Sequence, residues 1–180
     1  MMDWITMTEI IDEDESIPKV RKKDNTFKDE IKEECGEWLY EDKIYNLPED
    51  CTSKTMYGFV YQIQDRTSGK KYIGKKFFWA RKTRQVKGKK KKYLAESDWK
   101  KYYGSSEKLL VEVNKDKSRF KREILRLCKT KSECAYFEAK LQFEHDVLLK
   151  DEYYNDWIMV KVRAAHLKKL KETLDINDEL

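Results

Sequence analysis

Residues 57 to 76, YGFVYQIQDRTSGKKYIGKK, constrain the fold more than any other stretch of the chain. They hold two short apolar segments, YGFVYQI and KYIG, on either side of a polar turn. Val60, Ile63 and Ile73 supply strand propensity, while Asp65, Thr67, Ser68 and Gly69 supply turn chemistry, so a β-hairpin is expected. Tyr61 and Tyr72 put one phenol on each strand, beside Gly58 and Gly74, where a missing side chain lets another backbone or a ligand come close. Taken alone, such a pair suits packing as well as chemistry.

A third strand is expected in RFKREILRLC, where Phe120, Arg122, Ile124, Arg126 and Cys128 alternate with Lys121, Glu123, Leu125 and Leu127. Before it, residues 97 to 117 read as two short helical pieces around Gly104, capped by Ser97 or Asp98 and by Ser105 or Ser106. After it, Thr130 and Glu133 form a capping box that opens a helix, SECAYFEAKLQFEHDVLL. Cys134, Phe137, Leu141 and Leu148 recur there at helical spacing, widened by Ala135, Ala139 and Phe143. Glu138 sits at the edge of that apolar face, where burial is costly without a cation or hydrogen-bond partner. An ordinary edge ion pair with a lysine and a functional carboxylate both satisfy this reading. Asn155, in YYNDW, reads as a turn former or helix cap. Residues from Trp157 to Leu170 fit a basic amphipathic helix, with His145 and His166 at the surface.

Charge is unevenly spread. Residues 1 to 51 carry 16 acids against 7 bases, including the block Asp12 to Glu15, whereas residues 52 to 180 carry 18 acids against 32 bases. The first region reads as an acidic extension with a helical stripe of Phe27, Ile31, Cys35, Trp38 and Leu39. It either packs as an appendage or covers a basic surface or a dimer interface. Pro48, Glu49 and Asp50 mark the linker into the main domain. From Arg66 to Lys92 there are 13 lysines and arginines and no acid. Such a field attracts polyanions, with nucleic acid the commonest. Lys87 to Lys92 read as a low-complexity mobile loop.

The charged fraction, 41% against 39% hydrophobic, favours a lean α/β core with solvated helices. No apolar run is long enough to cross a bilayer, and MMDWITMTEIIDEDES has acids where a signal peptide has lysines, so a soluble cytoplasmic protein with no membrane partner is expected. Cys35, Cys51, Cys128 and Cys134 match no zinc spacing and are expected as reduced thiols. Composition sets no oligomeric state.

The GFVY and YIG elements, with ten residues between Tyr61 and Tyr72, resemble the signature of the GIY-YIG nuclease superfamily. FEAKLQF resembles that family's metal-binding helix, and Asn155 falls where the family has an Asn that closes the site. YIGKKFFW and ESDWKKYYGSS look like GIY-YIG proteins of tailed bacteriophages, often labelled homing-endonuclease-like. The resemblance spans residues 57 to 155 in order. Its departure is the family's single Arg, eight residues after the YIG glycine, a position held here by Lys82 with Arg81 and Arg84 on either side. An insertion or a shifted helix is therefore expected.

The resemblance implies an α/β domain over residues 52–157, with a three-stranded antiparallel sheet flanked by helices. An acidic extension (1–51) precedes it and a basic helix and tail (158–180) follow. It implies a divalent-metal-dependent DNA endonuclease, of homing type in the phage group it resembles, with Glu138 as the carboxylate for Mg²⁺ or Mn²⁺. Tyr61 would be the general base or its relay, Tyr72 would position water or phosphate, Arg81 or Arg84 would hold the scissile phosphate, and Lys75 and Asn155 would complete the site. Lys76, Lys82, Lys87, Lys89, Lys90, Lys91 and Lys92 would contact DNA. A basic neighbourhood is expected to favour the Tyr61 phenolate. The alternatives are a catalytically inactive nucleic-acid-binding domain on the same fold and a phage-assembly protein that binds through its acidic region.

Overall fold

The computed structural model describes residues 36–168 and 170–172. The hairpin forms as expected: β3 (Gly58–Asp65) pairs antiparallel with β4 (Lys71–Phe77), Tyr61 opposite Gly74 and Ile63 opposite Tyr72. Asp65 sets the turn. Its buried carboxylate accepts from the Thr67 N–H at 3.0 Å, the Ser68 hydroxyl at 2.7 Å and the Arg119 guanidinium at 2.8 Å. The hydrogen bonds and the arginine hold it below the usual carboxylate range, overcoming the opposing effect of burial.

β7 (Phe120–Cys128) pairs antiparallel with β3 on the other side, which completes the expected three strands. The sheet is larger, however. β1 (Trp38–Tyr40) runs parallel to β7, and β2 (Lys43–Ile44) pairs with β1, giving the order β2-β1-β7-β3-β4 in a mixed five-stranded sheet. The expected helical stripe through Trp38 and Leu39 is thus corrected to a strand that precedes residue 52. Its earlier members, like the acidic block, lie outside the described residues. Sheet pairing won because Trp38, 1% exposed, fits between Phe59 and Tyr61 on the sheet face and donates its indole N–H to the Trp99 carbonyl at 2.8 Å.

Two layers cover the sheet. Phe59, Tyr61, Ile63, Tyr72, Phe120 and Ile124 face one of them, α1 (Glu107–Lys115) and the segment before it that carries Trp99 and Tyr103. Val60, Ile73 and Cys128 face α2 (Lys131–Glu144), which brings Cys134 and Phe137. The alternation in β7 does not stay on one face as expected. The register shifts between Val60 and Tyr61 leave Leu125 unpaired, so Phe120, Arg122 and Ile124 point to the α1 layer while Cys128 joins the α2 layer. Arg122 is buried, stacks between Trp38 and Tyr103 and donates to the Lys100 and Tyr102 carbonyls, pinning the segment before α1 to the sheet.

Two of the three expected caps form: Ser106 accepts from Leu109 N–H, and Thr130 accepts from Glu133 N–H at 3.1 Å, whereas the first piece is only a 3-10 turn, Trp99–Lys101, which Asp98 precedes without a side-chain capping bond. The second helix is shorter than expected. His145 ends it, Asp146 takes a positive φ, and Phe143 and Leu148 are exposed while Val147 turns inward. From Trp157 to Arg163 the expected helix is replaced by irregular backbone, the β-branched Val160 and Val162 included, before a 3-10 turn at Ala164–Leu167 and helical residues 168 and 170–172. Among the described residues no helix is long and apolar enough to cross a membrane, and Cys51, Cys128 and Cys134 are free thiols.

The stretch after β4 differs most. Lys89 to Lys92 are not a loop: β5 (Trp79–Val86) and β6 (Lys89–Glu96) form a separate two-stranded ribbon around a Lys87-Gly88 turn, both residues at positive φ. Such a two-residue turn matches the twist of a hairpin and usually announces itself as Asn-Gly or Asp-Gly. Lys-Gly hides it.

If Trp38 anchors the sheet, Trp38→Ala should destabilise the fold by roughly 3–5 kcal/mol. Urea unfolding would measure this, and a loss under about 1 kcal/mol would be inconsistent with its burial.

Candidate active site at the edge of the sheet

β4 is an edge strand, and an exposed edge needs cover. The chain after α2 supplies it. Lys71 N–H donates to the Glu152 carbonyl and Tyr154 N–H to the Lys71 carbonyl, both at 2.7 Å. Asn155 continues the ladder with its side chain: Oδ1 accepts from Ile73 N–H at 3.0 Å, and Nδ2 donates to the Ile73 carbonyl at 2.8 Å. Gln142 donates to that carbonyl as well, at 2.9 Å from α2.

Beyond this clamp the edge opens into a cleft of about 650 Å³. Tyr72 enters it from the α1 side with Ser105, Ser106, Glu107 and Lys108, while Lys75 enters from the α2 side with Glu138 and Gln142. Asn155, Asp156, Trp157 and Met159 close its end. The cleft therefore straddles β4 because neighbouring strand residues point to opposite faces.

Tyr72 and Ser105 hydroxyls lie 3.2 Å apart. Burial raises the Tyr72 pKa, which the Ser105 hydrogen bond partly offsets, so the phenol stays protonated at neutral pH. Lys75 pairs directly with Glu138. Burial raises the Glu138 pKa as well, against the lysine's lowering effect. The ordinary edge ion pair and the cleft carboxylate considered from sequence turn out to be the same group.

Tyr61 does not line the cleft. It is 1% exposed, packed under Tyr72 and against Trp38 and Tyr102. Burial pushes its pKa well above the ordinary 10.0, and Tyr102, Tyr72 and the Glu138 charge add to the effect. The expected phenolate is thus corrected: lysines close in sequence do not offset loss of solvent. Gly74 is what allows this packing, since a Cβ there would stand 2.6 Å from the Tyr61 hydroxyl and 2.8 Å from the Tyr72 ring.

Neither arginine reaches the cleft. Arg81 lies on exposed β5 beside Leu94, and the Arg84 guanidinium stands 5.3 Å over the Tyr93 ring. The expected insertion after YIG is the ribbon, which carries both away. Lys76 is occupied too, bonded to Asp98 at 2.7 Å and lying 3.7 Å over the Tyr102 ring. Lys82, Lys87 and Lys89 to Lys92 stay exposed on the ribbon.

Sequence reading missed Ser105, Gln142, Lys108 and Trp157. Gln142 follows Glu138 by four residues, a same-face spacing that was there to be used. Ser105 had no such signal, because its contact with Tyr72 spans 33 residues.

A hard divalent cation fits the donors in the cleft. Glu138 is a single shielded carboxylate, and among the described residues no group of three or more His, Cys, Asp or Glu converges. One carboxylate completed by water and phosphate oxygens is how a magnesium-like ion is commonly held.

Paired tyrosine strands, an open strand edge and a helix-borne glutamate define the GIY-YIG class of nuclease domain. Over residues 38–158 the chain matches the family described as "Putative endonuclease segE, GIY-YIG domain", and it belongs to that family. No curated protein and no solved structure matches the chain.

Two outcomes follow from the buried phenols. Gly74→Ala should cost about 1–3 kcal/mol through overpacking, visible as a lowered urea midpoint. The folded chain also holds the Tyr61 proton more tightly than the unfolded chain. Its contribution to stability is therefore complete below the ordinary phenol pKa of about 10 and declines as pH rises beyond it. Tyr61→Phe should flatten the loss of stability between about pH 9 and 11, followed by chemical denaturation.

Proposed function

We propose that the chain is a divalent-metal-dependent DNA endonuclease that hydrolyses phosphodiester bonds in the cleft across β4. The observation that carries this reading is the convergence of Tyr72, Lys75, Glu138 and Asn155, from a strand, a helix and a terminal loop, on one opening. In the reaction, a water oxygen attacks phosphorus, the bond to the leaving 3′ oxygen breaks, and that oxygen gains a proton.

Glu138 would hold Mg²⁺ or Mn²⁺, which when bound supplies charge neutralisation at the phosphate. Lys75 would turn from Glu138 to a non-bridging oxygen as phosphate enters, keeping its charge compensated throughout. Tyr72, oriented by Ser105, would hold the attacking water through its hydroxyl. That is the role expected for Tyr72, whereas the general-base role expected for Tyr61 falls away because only Tyr72 opens onto the cleft. Tyr61 and Asn155 act as positioning residues, one beneath Tyr72 and the other on the Ile73 backbone. The N-terminus of α1 adds amide dipoles that favour an anion.

A homing-type role rests on the phage-like motifs alone. The inactive binding domain remains the second reading, and a specific observation favours it: among the described residues no arginine lines the cleft to take the place of the family's single Arg.

Nicking of supercoiled DNA with Mg²⁺, Mn²⁺ or chelator separates the two. Glu138→Gln should lower cleavage by at least about 10³-fold, and Tyr72→Phe by about 10²–10⁴-fold, with duplex binding in chelator nearly unchanged. Because the folded state raises the Glu138 pKa, stability falls as pH climbs from the ordinary carboxylate range through the raised value. Glu138→Gln should therefore be no less stable than wild type at pH 7. Wild-type cleavage in either variant would remove that residue from the mechanism, and a wild-type protein that binds DNA but never cuts it would favour the second reading.

A further inference from the structure

The ribbon β5–β6 is not used by the cleft, yet it holds eight of the chain's cations between Arg81 and Lys92 and no acid. It pairs with no other strand, and residues 81–94 are exposed except Val86. Among the described residues none of the eight is held in an ion pair.

The register distributes these charges over both faces. Lys82 opposes Tyr93, Arg84 opposes Lys91 and Val86 opposes Lys89, so one face carries Lys82, Arg84, Lys89 and Lys91. Arg81 opposes Leu94, Thr83 opposes Lys92 and Gln85 opposes Lys90, so the other carries Arg81, Lys90 and Lys92. Lys87 stands at the tip. An isolated two-stranded ribbon is marginal in water, and like charges directly across it, as at Arg84 and Lys91, weaken it further. A surface lying flat on one phosphate backbone needs cations on one face only.

We propose that this ribbon enters the DNA major groove tip first, its two faces against the two phosphate walls and Lys87 toward the base edges. A sheet layer with its side chains is roughly 10 Å thick, which suits a major groove about 12 Å wide and not a minor groove of about 6 Å. Phosphates on both sides would neutralise the cross-strand repulsion that the free ribbon carries. The proposal rests on DNA being the substrate, and it makes the ribbon, separate from the cleft, the element that sets affinity and register on the duplex.

Duplex binding is measured in chelator, so cleavage does not enter, as a function of salt. Two variants divide the faces: Lys82, Arg84, Lys89 and Lys91→Ser, and Arg81, Lys90 and Lys92→Ser. A groove-bound ribbon predicts that both flatten the salt dependence, each by about two or more in log–log slope, at about 0.9 for every phosphate no longer neutralised. Flattening by only one variant means one-sided contact and overturns the proposal. The wild type provides a test that does not depend on variant folding. A duplex carrying 7-methylguanine should bind at least about tenfold more weakly, worth about 1.4 kcal/mol, whereas netropsin in the minor groove should leave binding unchanged. The reverse pattern overturns the proposal. Duplex that is cut normally and bound with unchanged slope by both variants overturns the ribbon's role and leaves the cleft reading standing, while a wild type that binds no duplex overturns both.

Discussion

The cleft depends on how the open edge of β4 is terminated. An unpaired strand edge exposes alternate donors and acceptors, and this chain satisfies them only as far as Ile73. Asn155 fills a ladder position with a side-chain amide, whose donor and acceptor match the two backbone groups of Ile73. A continuing strand would have closed the edge over Gly74 and Lys75. A side chain ends the cover after one residue and leaves those positions open. Gln142, reaching the same carbonyl from α2, ties the helix that bears Glu138 to the strand that bears Lys75. The two sides of the cleft are thus fixed by bonds to one residue's backbone.

The polar groups of the site lie close to a tightly packed aromatic layer, and their protonation follows from that. Tyr61 and Tyr72 lose solvent and keep their protons; Glu138 loses solvent and would do so more readily without Lys75. The Lys75–Glu138 pair is half-shielded, so each partner can be exchanged for a ligand of like charge without leaving its counterpart bare. A phosphate for the lysine and a cation for the glutamate would be such an exchange, consistent with the proposed hydrolytic role.

Cation use is divided in two. Close to the sheet, positive charge is committed: Arg122 to carbonyls and rings, Arg119 to Asp65 and Glu112, and Lys76 to Asp98. On the ribbon it is not. Lysines and arginines that interact within the protein stabilise the fold, whereas those on the ribbon repel one another and remain available to a polyanion. The family match begins at residue 38, where the strand carrying Trp38 begins, so the layer that shapes the cleft and the family domain share a boundary.

Local chemistry in the sequence was enough to define the β3–β4 hairpin, β7, the two caps and Glu138 at a helix edge, because propensity, turn residues and capping act over a few positions. The joining of Tyr72, Lys75, Glu138 and Asn155 followed from family order and not from periodicity. Tertiary structure decided the rest, for reasons that span long separations. Trp38 became a strand because a slot beside Phe59 outweighed its place in a helical stripe. The face of Tyr61 was set by pairing with Gly74, and the depth of burial, not nearby lysines, set its protonation. Arg81 and Arg84 left the cleft because a Lys-Gly turn folds the basic run back on itself, and Ser105 joined it because Arg122 holds the preceding segment against the sheet. Charge density is written in the sequence; which charges face solvent, and in which direction, depends on pairing that only the folded chain specifies.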